Sequence, residues 1–323
     1  MQKAMTMVEL GPYVNSAGVE SAIREAARRA FAIDPSLSVN ERIKQEHFRR
    51  FLSRVFSEGE RSDWMLKGGT GVLARVPSAR ATNDVDLFRS GYTLAEALEA
   101  LKRLAKVDLK DHFQFEFVSY ADIIGGSGQP NLEGYKVRFD VYVGAQKRGR
   151  LNVDLSTGAG VTAEVNYIEP ANGLDLPRLT SYRYRVYPVV DQIADKVCAT
   201  VMLYSGSPST RERDLVDLVV FATTQDILGA DLRIAIETEM GRRQLVPIDQ
   251  FTIPEGWGVF YARMARDVPY CSAFRKITEA RALVSAFIDP AIRGEVDEHV
   301  WRSEHQRWQT TPDVLRLEHV LHS

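Results

Sequence analysis

Leu66-Lys67-Gly68-Gly69-Thr70, followed after thirteen intervening residues by Asp84-Val85-Asp86-Leu87-Phe88, decides the fold. Trp64-Met65-Leu66 reads as a short buried strand. Gly68 and Gly69 let the backbone turn sharply and approach a ligand, because they lack a Cβ. Thr70 to Arg75 then opens a short helix whose free N–H groups attract phosphate. A second strand starts at Asp84. Its side-chain period of two points Asp84 and Asp86 to one face and Val85 and Leu87 to the other. Two neighbouring carboxylates are hard oxygen donors of the kind that Mg²⁺ bridging a triphosphate requires. The order of strand, Gly-Gly-Thr, short helix and D-x-D on the next strand is far more specific than any one piece. It points to nucleotidyl transfer. No G-x-x-x-x-G-K-[ST] occurs, and no G-x-G-x-x-G opens a helix after a strand, which excludes a P-loop and a dinucleotide fold.

On these residues, Lys67-Gly68-Gly69-Thr70 with Arg80-Ala81-Thr82-Asn83-Asp84-Val85-Asp86-Leu87, the chain resembles the AbiEii/AbiGii toxin nucleotidyltransferases. These belong to the polymerase-β-like superfamily and act as toxins of bacterial type IV toxin–antitoxin or abortive-infection systems. The resemblance covers roughly residues 40 to 225, and no motif is matched in the last hundred. It implies an α/β fold: a polymerase-β-like nucleotidyltransferase sheet with flanking helices, and a mainly helical C-terminal lobe. The expected division is 1–187 for the first lobe and 188–323 for the second.

The resemblance also implies site residues. Asp84 and Asp86 would hold Mg²⁺, or Mn²⁺, and Lys67, Gly68, Gly69, Thr70 and Thr82 the nucleotide. Leu151-Asn152-Val153-Asp154-Leu155 is a strand pattern in which Asp154 would supply the third carboxylate, metal ligand and base toward the acceptor hydroxyl. Asp140 in Lys136-Val137-Arg138-Phe139-Asp140 is the other candidate. On a helix from Val189 to Tyr204, Lys196 resembles the family's triphosphate-binding lysine; the alternative is an ordinary lysine on a solvated face. Asp214 and Asp217 match the family's K-D-x-x-D pattern, with Arg213 replacing the lysine. Asp214 would orient Lys196 or the acceptor, and Asp217 would pair with Arg213.

By the same resemblance the substrates are a nucleoside triphosphate and an RNA acceptor, the tRNA 3′ end foremost, so that translation is blocked. An antitoxin encoded next door is the expected partner. Competing readings are transfer to a small molecule such as an antibiotic, transfer to a protein side chain, and a catalytically silent nucleotide-binding module.

Net charge of −2 over 323 residues gives no global basic excess, so nucleic-acid binding would have to use local clusters. The candidates are Lys147, Arg148 and Arg150 in a turn beside Asp154, then Arg49, Arg50 and Arg54. Hydrophobic content of 45% and charged content of 26% are those of a globular protein. Cys198 and Cys271 suit a reducing compartment as core thiols. With no run of eighteen apolar residues and no signal segment, the expected location is cytoplasmic, without a membrane partner. The histidines, four of them crowding the tail (His299, His305, His319 and His322), lack metal-ligand spacing.

Periodicity places helices at 17–31, from a Ser38–Glu41 capping box onward, and at 189–204, 210–225, 229–243, 257–267 and 271–288. The 210–225 helix opens on a second such box, Ser209 to Glu212. Strands are expected at 63–67, 84–89, 113–119, 135–143, 150–155 and 182–187. Ile124 to Pro130 is a loop bordering the site or a plain connector. Asp289-Pro290 closes the last long helix, and the tail with Trp301 and Trp308 docks as a final helix.

Overall fold

The computed structural model describes residues 11–76, 82–123, 134–170 and 173–310. Arg80, Ala81, the Ile124–Pro130 loop, His319 and His322 lie outside them.

The chain begins with two helices, α1 (Ser16–Ile33) and α2 (Val39–Val55). The Ser38–Glu41 capping box forms as its sequence requires. Strand β1 (Trp64–Leu66) leads through the Gly-Gly hinge into α3 (Gly68–Arg75), and β2 (Asp84–Ser90) follows. Then come α4 (Leu94–Leu104), β3 (Phe113–Asp122), β4 (Gly134–Val143), β5 (Gln146–Gly158), β6 (Asn166–Ile168) and β7 (Tyr184–Val186). Among the described residues these strands make one seven-stranded mixed sheet, ordered β3-β4-β5-β2-β1-β7-β6. Val85, Leu87, Val137, Phe139, Val153 and Leu155 point from it into a core shared with α1, α2 and α4. Helix α4 escaped the periodicity reading, although Thr93 and Glu96 form a complete capping box before it.

The second lobe is mostly helical, with α5 (Val189–Val201), α6 (Glu212–Thr224), α7 (Gly229–Arg242), α8 (Val259–Ala265) and α9 (Ile277–Ile292). Its core collects Ile193, Val197, Val219, Phe221, Phe287 and Trp301. Val72, Leu73 and Val76, from α3 and the residue after it, belong to this second core, while Ala74 of the same helix packs in the first. Helix α3 is therefore shared between the lobes.

Three local expectations are corrected. The described part of the tail is a hairpin, not a helix: β9 (His299–Arg302) pairs with β10 (Arg307–Thr310), and Trp301 stands opposite Trp308. β9 also pairs with the short strand β8 (Ile227–Leu228). Helix α9 starts at Ile277 and runs through Pro290 to Ile292 instead of stopping at Asp289. Proline cannot donate to the carbonyl four residues earlier. That carbonyl, Ala286 O, instead accepts from Trp308 Nε1 at 3.2 Å. Trp301 Nε1 likewise donates to Ala222 O at 2.7 Å, serving a carbonyl left open in the last turn of α6. Finally, no capping box opens α6, whose N-cap is Arg211 without a side-chain bond. Glu212 turns away to accept from the N–H groups of Gly258 and Tyr261, at 3.0 and 2.7 Å.

Cys198 and Cys271 are free and buried. No helix among the described residues is long and apolar enough to cross a membrane.

Candidate active site

The alternation of β2 sets the first part of the site. Val85 and Leu87 are fully buried, which leaves Asp84 and Asp86 on the opposite face. β2 and β5 run parallel in a register that places Asp84 beside Asn152 and Asp86 beside Asp154. Val153 and Leu155 are buried in the same way, so Asp154 joins the face of Asp84 and Asp86. Asn152 Nδ2 donates to Asp84 Oδ1 at 3.0 Å. Asp140 lies on β4 and pairs with Lys147 and Arg150, away from this group. Of the two candidates, Asp154 is the one beside Asp86.

The hinge is shaped around these carboxylates. Gly68 has φ +57°, and a Cβ there would stand 2.4 Å from the carboxyl carbon of Asp86. No other residue type fits both demands. Gln192 Nε2 donates to Gly68 O at 2.5 Å, tying the hinge to α5. The Thr70 hydroxyl donates to Asp84 O at 2.8 Å and accepts from Asp86 N at 3.4 Å. The Thr70 hydroxyl is thereby turned into the protein, where it staples α3 to β2. Thr82 also donates to Asp84 O, at 3.1 Å, while lining the cleft.

The cleft itself encloses about 230 Å³. One wall carries Asp84, Asp86 and Asp154 with the hinge residues Lys67, Gly68 and Gly69; the other carries Asp195, Lys196, Arg211, Arg213, Asp214 and Arg243. Lys196 is not a lysine on a solvated face. It is 3% exposed and donates to Asp217 Oδ2 at 2.6 Å and Asp214 Oδ1 at 3.3 Å. The expected Asp217–Arg213 pair is thus replaced by Asp217–Lys196, and Arg213 is exposed at the lip. Arg211 Nε donates to Asp214 Oδ2 at 2.5 Å. Burial alone would raise Asp214, but Lys196 and Arg211 overcome it and hold the carboxyl well below the usual range. Asp195 behaves alike: burial is outweighed by Arg243, with help from Lys67, Arg211 and Lys196. Sequence reading missed Asp195, Arg211 and Arg243; Arg243 reaches the cleft from the end of α7, and no local pattern marks it.

Asp154 behaves in the opposite way. Burial raises its pKa and Asp84 adds to the rise, against Lys136 and Arg213. Its Oδ1 is buried without a hydrogen-bond partner, and the nearest cation, Lys136 Nζ, is 3.7 Å away. An orphaned carboxylate oxygen beside two further carboxylates suits a divalent cation. Among the described residues no three His, Cys, Asp or Glu side chains already converge closely enough to hold one unaided.

The basic stretch proposed for RNA lies elsewhere. Residues 146 to 150 are strand, not turn, and outside the cleft lining. Lys147 and Arg150 pair with Asp140, and Arg148 with Glu20. Arg50 and Arg54 are also unavailable, 2% and 1% exposed and paired with Glu46 and Asp111; Arg49 pairs with Glu46 as well.

The family model described as the AbiEii nucleotidyl transferase toxin of type IV toxin–antitoxin systems matches residues 50–308. The chain belongs to that family. The AbiEii match extends through α9 and the Trp hairpin, well past the residue 225 at which motif resemblance stops. This AbiEii enzyme is a nucleotidyltransferase, with the toxin–antitoxin association of its family. Among solved structures it is similar to JHP933 from Helicobacter pylori, at 14% identity and TM-score 0.42 over 80% of this chain and 96% of that one. It is similar too to the nucleotidyltransferase toxin MenT4 from Mycobacterium tuberculosis, at 15% identity and TM-score 0.46 over 84% and 98%. No curated protein matches the sequence.

Proposed function

We propose that the enzyme uses Mg²⁺ to transfer a nucleotide from a nucleoside triphosphate to the 3′ end of tRNA, which blocks aminoacylation and hence translation. The observation that carries this reading is the register of β2 and β5, which puts Asp84, Asp86 and Asp154 on one face of the cleft opposite a cationic wall. Asp84 and Asp86 would hold Mg²⁺, or Mn²⁺, with Asp154 close enough to share it. When bound, the metal neutralises charge on the phosphoryl group and aligns attacking and leaving oxygens.

This chain's own residues do the rest. Gly68 and Gly69 bring backbone N–H groups of α3 to the triphosphate. Lys67, Arg211 and Lys196 face the leaving pyrophosphate with positive charge. The acceptor hydroxyl attacks the α-phosphorus, its proton passes to Asp154, and the bond to pyrophosphate breaks. A raised pKa makes Asp154 a better proton acceptor than an ordinary aspartate. Asp214 positions Lys196 through their ion pair. The antitoxin encoded beside the gene would counter the product in the cytoplasm.

The test incubates purified protein and its Asp86→Asn variant with each labelled triphosphate and total RNA, with Mg²⁺ or with chelator. Label should enter tRNA-sized RNA only with the metal, and Asp86→Asn should transfer about a hundredfold more slowly or worse. Label entering a small molecule or a protein instead would overturn the RNA reading. Near-normal transfer by a folded Asp86→Asn variant would remove the metal assignment.

A further inference from the structure

The rows of residues that contain the carboxylates do not end at β5. β4 pairs with β5 so that Asp154 stands beside Lys136, and Asn152 beside Arg138. Two registers thus run across three strands: Asp86, Asp154, Lys136 in one and Asp84, Asn152, Arg138 in the next. Val137, Phe139 and Val141 of β4 are buried in the first core, so Lys136 and Arg138 share the carboxylates' face. At a strand spacing of about 4.8 Å, the β4 backbone lies roughly 10 Å from that of β2. Lys136 is 43% exposed and Arg138 is exposed, with no ion pair to Arg138 among the described residues. The acidic groups farther along this face are Asp140, already shared by Lys147 and Arg150, and Glu116 opposite it on β3. The part nearest Asp154 is therefore cationic.

Geometry gives this patch a direction. Attacking and leaving oxygens lie roughly in line in phosphoryl transfer. The hinge, Lys196 and Arg211 define the side from which pyrophosphate leaves, so the acceptor must come from the opposite flank, past Asp154 and β4. A small acceptor would call for a walled pocket. Among the described residues, what lies there is a sheet surface bearing cations.

We propose that Lys136 and Arg138 grip the terminal backbone phosphates of a single-stranded RNA end and present its hydroxyl to Asp154. This rests on the RNA reading above. It moves the RNA contacts from Lys147, Arg148 and Arg150 to the neighbouring strand.

The probe is an RNA oligonucleotide with a free 3′ hydroxyl, used with the full chain. Arg138→Ala should raise the KM for this RNA about tenfold, the loss expected for one charge-assisted phosphate contact. It should flatten the salt dependence by about 0.7 in log–log slope. Nucleotide affinity measured without RNA should not change, and Arg138→Lys should restore most of the RNA affinity. Lys136→Ala should raise the same KM and also lower kcat, because it unpairs Asp154. Arg103→Ala with Lys106→Ala, exposed on α4 and in the turn after it, behind the opposite face, is the control and should change nothing. If Arg138→Ala leaves KM and salt slope as in the wild type, the grip is overturned while RNA transfer stands. If the wild type labels no RNA, both readings fall together.

Discussion

At the scale of single residues, Asp154 sits in an environment that opposes its charge. Burial and Asp84 raise its pKa above the usual carboxylate value. A carboxyl whose folded pKa exceeds its unfolded one binds extra protons in the native state, so stability falls as pH rises through that interval. Asp154 therefore favours folding most below its unfolded pKa, near 4, and that contribution is lost as pH climbs through the elevated folded value. Asp154→Asn should remove this dependence and leave the protein at neutral pH at least as stable as the wild type, while transfer collapses. Urea titrations of both proteins across pH 4 to 8 check it; a less stable variant at pH 7 would show that the carboxylate is structural. Gly68 is the counterpart on the hinge, since its positive φ and its contact with Asp86 are both written in the glycine pair itself.

Among elements, α5 and α6 are joined by a buried charge cluster. Lys196 pairs with both Asp214 and Asp217, 1% and 0% exposed, and Arg211 also pairs with Asp214. Removing one partner of a buried ion pair costs about 3–5 kcal/mol, because the remaining charge is stranded. Lys196→Ala should therefore destabilise by that amount, where a solvated lysine would cost under about 0.5 kcal/mol. Denaturant midpoints decide between the two, and loss of activity alone does not. The Trp hairpin offers a second measurement. Trp301→Phe keeps most of the ring volume but leaves Ala222 O without its donor, which should cost about 1–3 kcal/mol. The sheet was legible because Val85, Leu87, Val153 and Leu155 alternate with the carboxylates they support. The tail was not. A spacing of seven between Trp301 and Trp308 fits a helix face, and it equally fits two residues opposed across a four-residue turn. Glu212 misled for a related reason: its partners are the backbone of Gly258 and Tyr261, more than forty residues away. The charge on Lys147 to Arg150 was visible, but not the Asp140 and Glu20 carboxylates that occupy it. Local pattern shows which groups a segment offers; the distant partner that takes them emerges only on folding.

On the scale of the whole molecule, the cleft wall is contributed by both lobes, so a triphosphate bound there would touch the hinge on one side and α5 and α6 on the other. A ligand that requires this arrangement binds only the native state. At a hundred times its dissociation constant it should add about 2.7 kcal/mol of stability. Thermal unfolding with nucleotide and Mg²⁺ should show the shift, and Asp86→Asn should lose most of it. Helix α3 makes the lobes inseparable in a more literal sense. Val72, Leu73 and Val76 belong to the core of residues that begin more than a hundred positions later in the chain. A fragment starting at 188 would be made with a greasy hole where those side chains sit, and would aggregate. Its N-terminal complement would carry the same three residues bare to water. Mixing the two halves should restore what neither holds alone, with helix α3 as the peg that joins them.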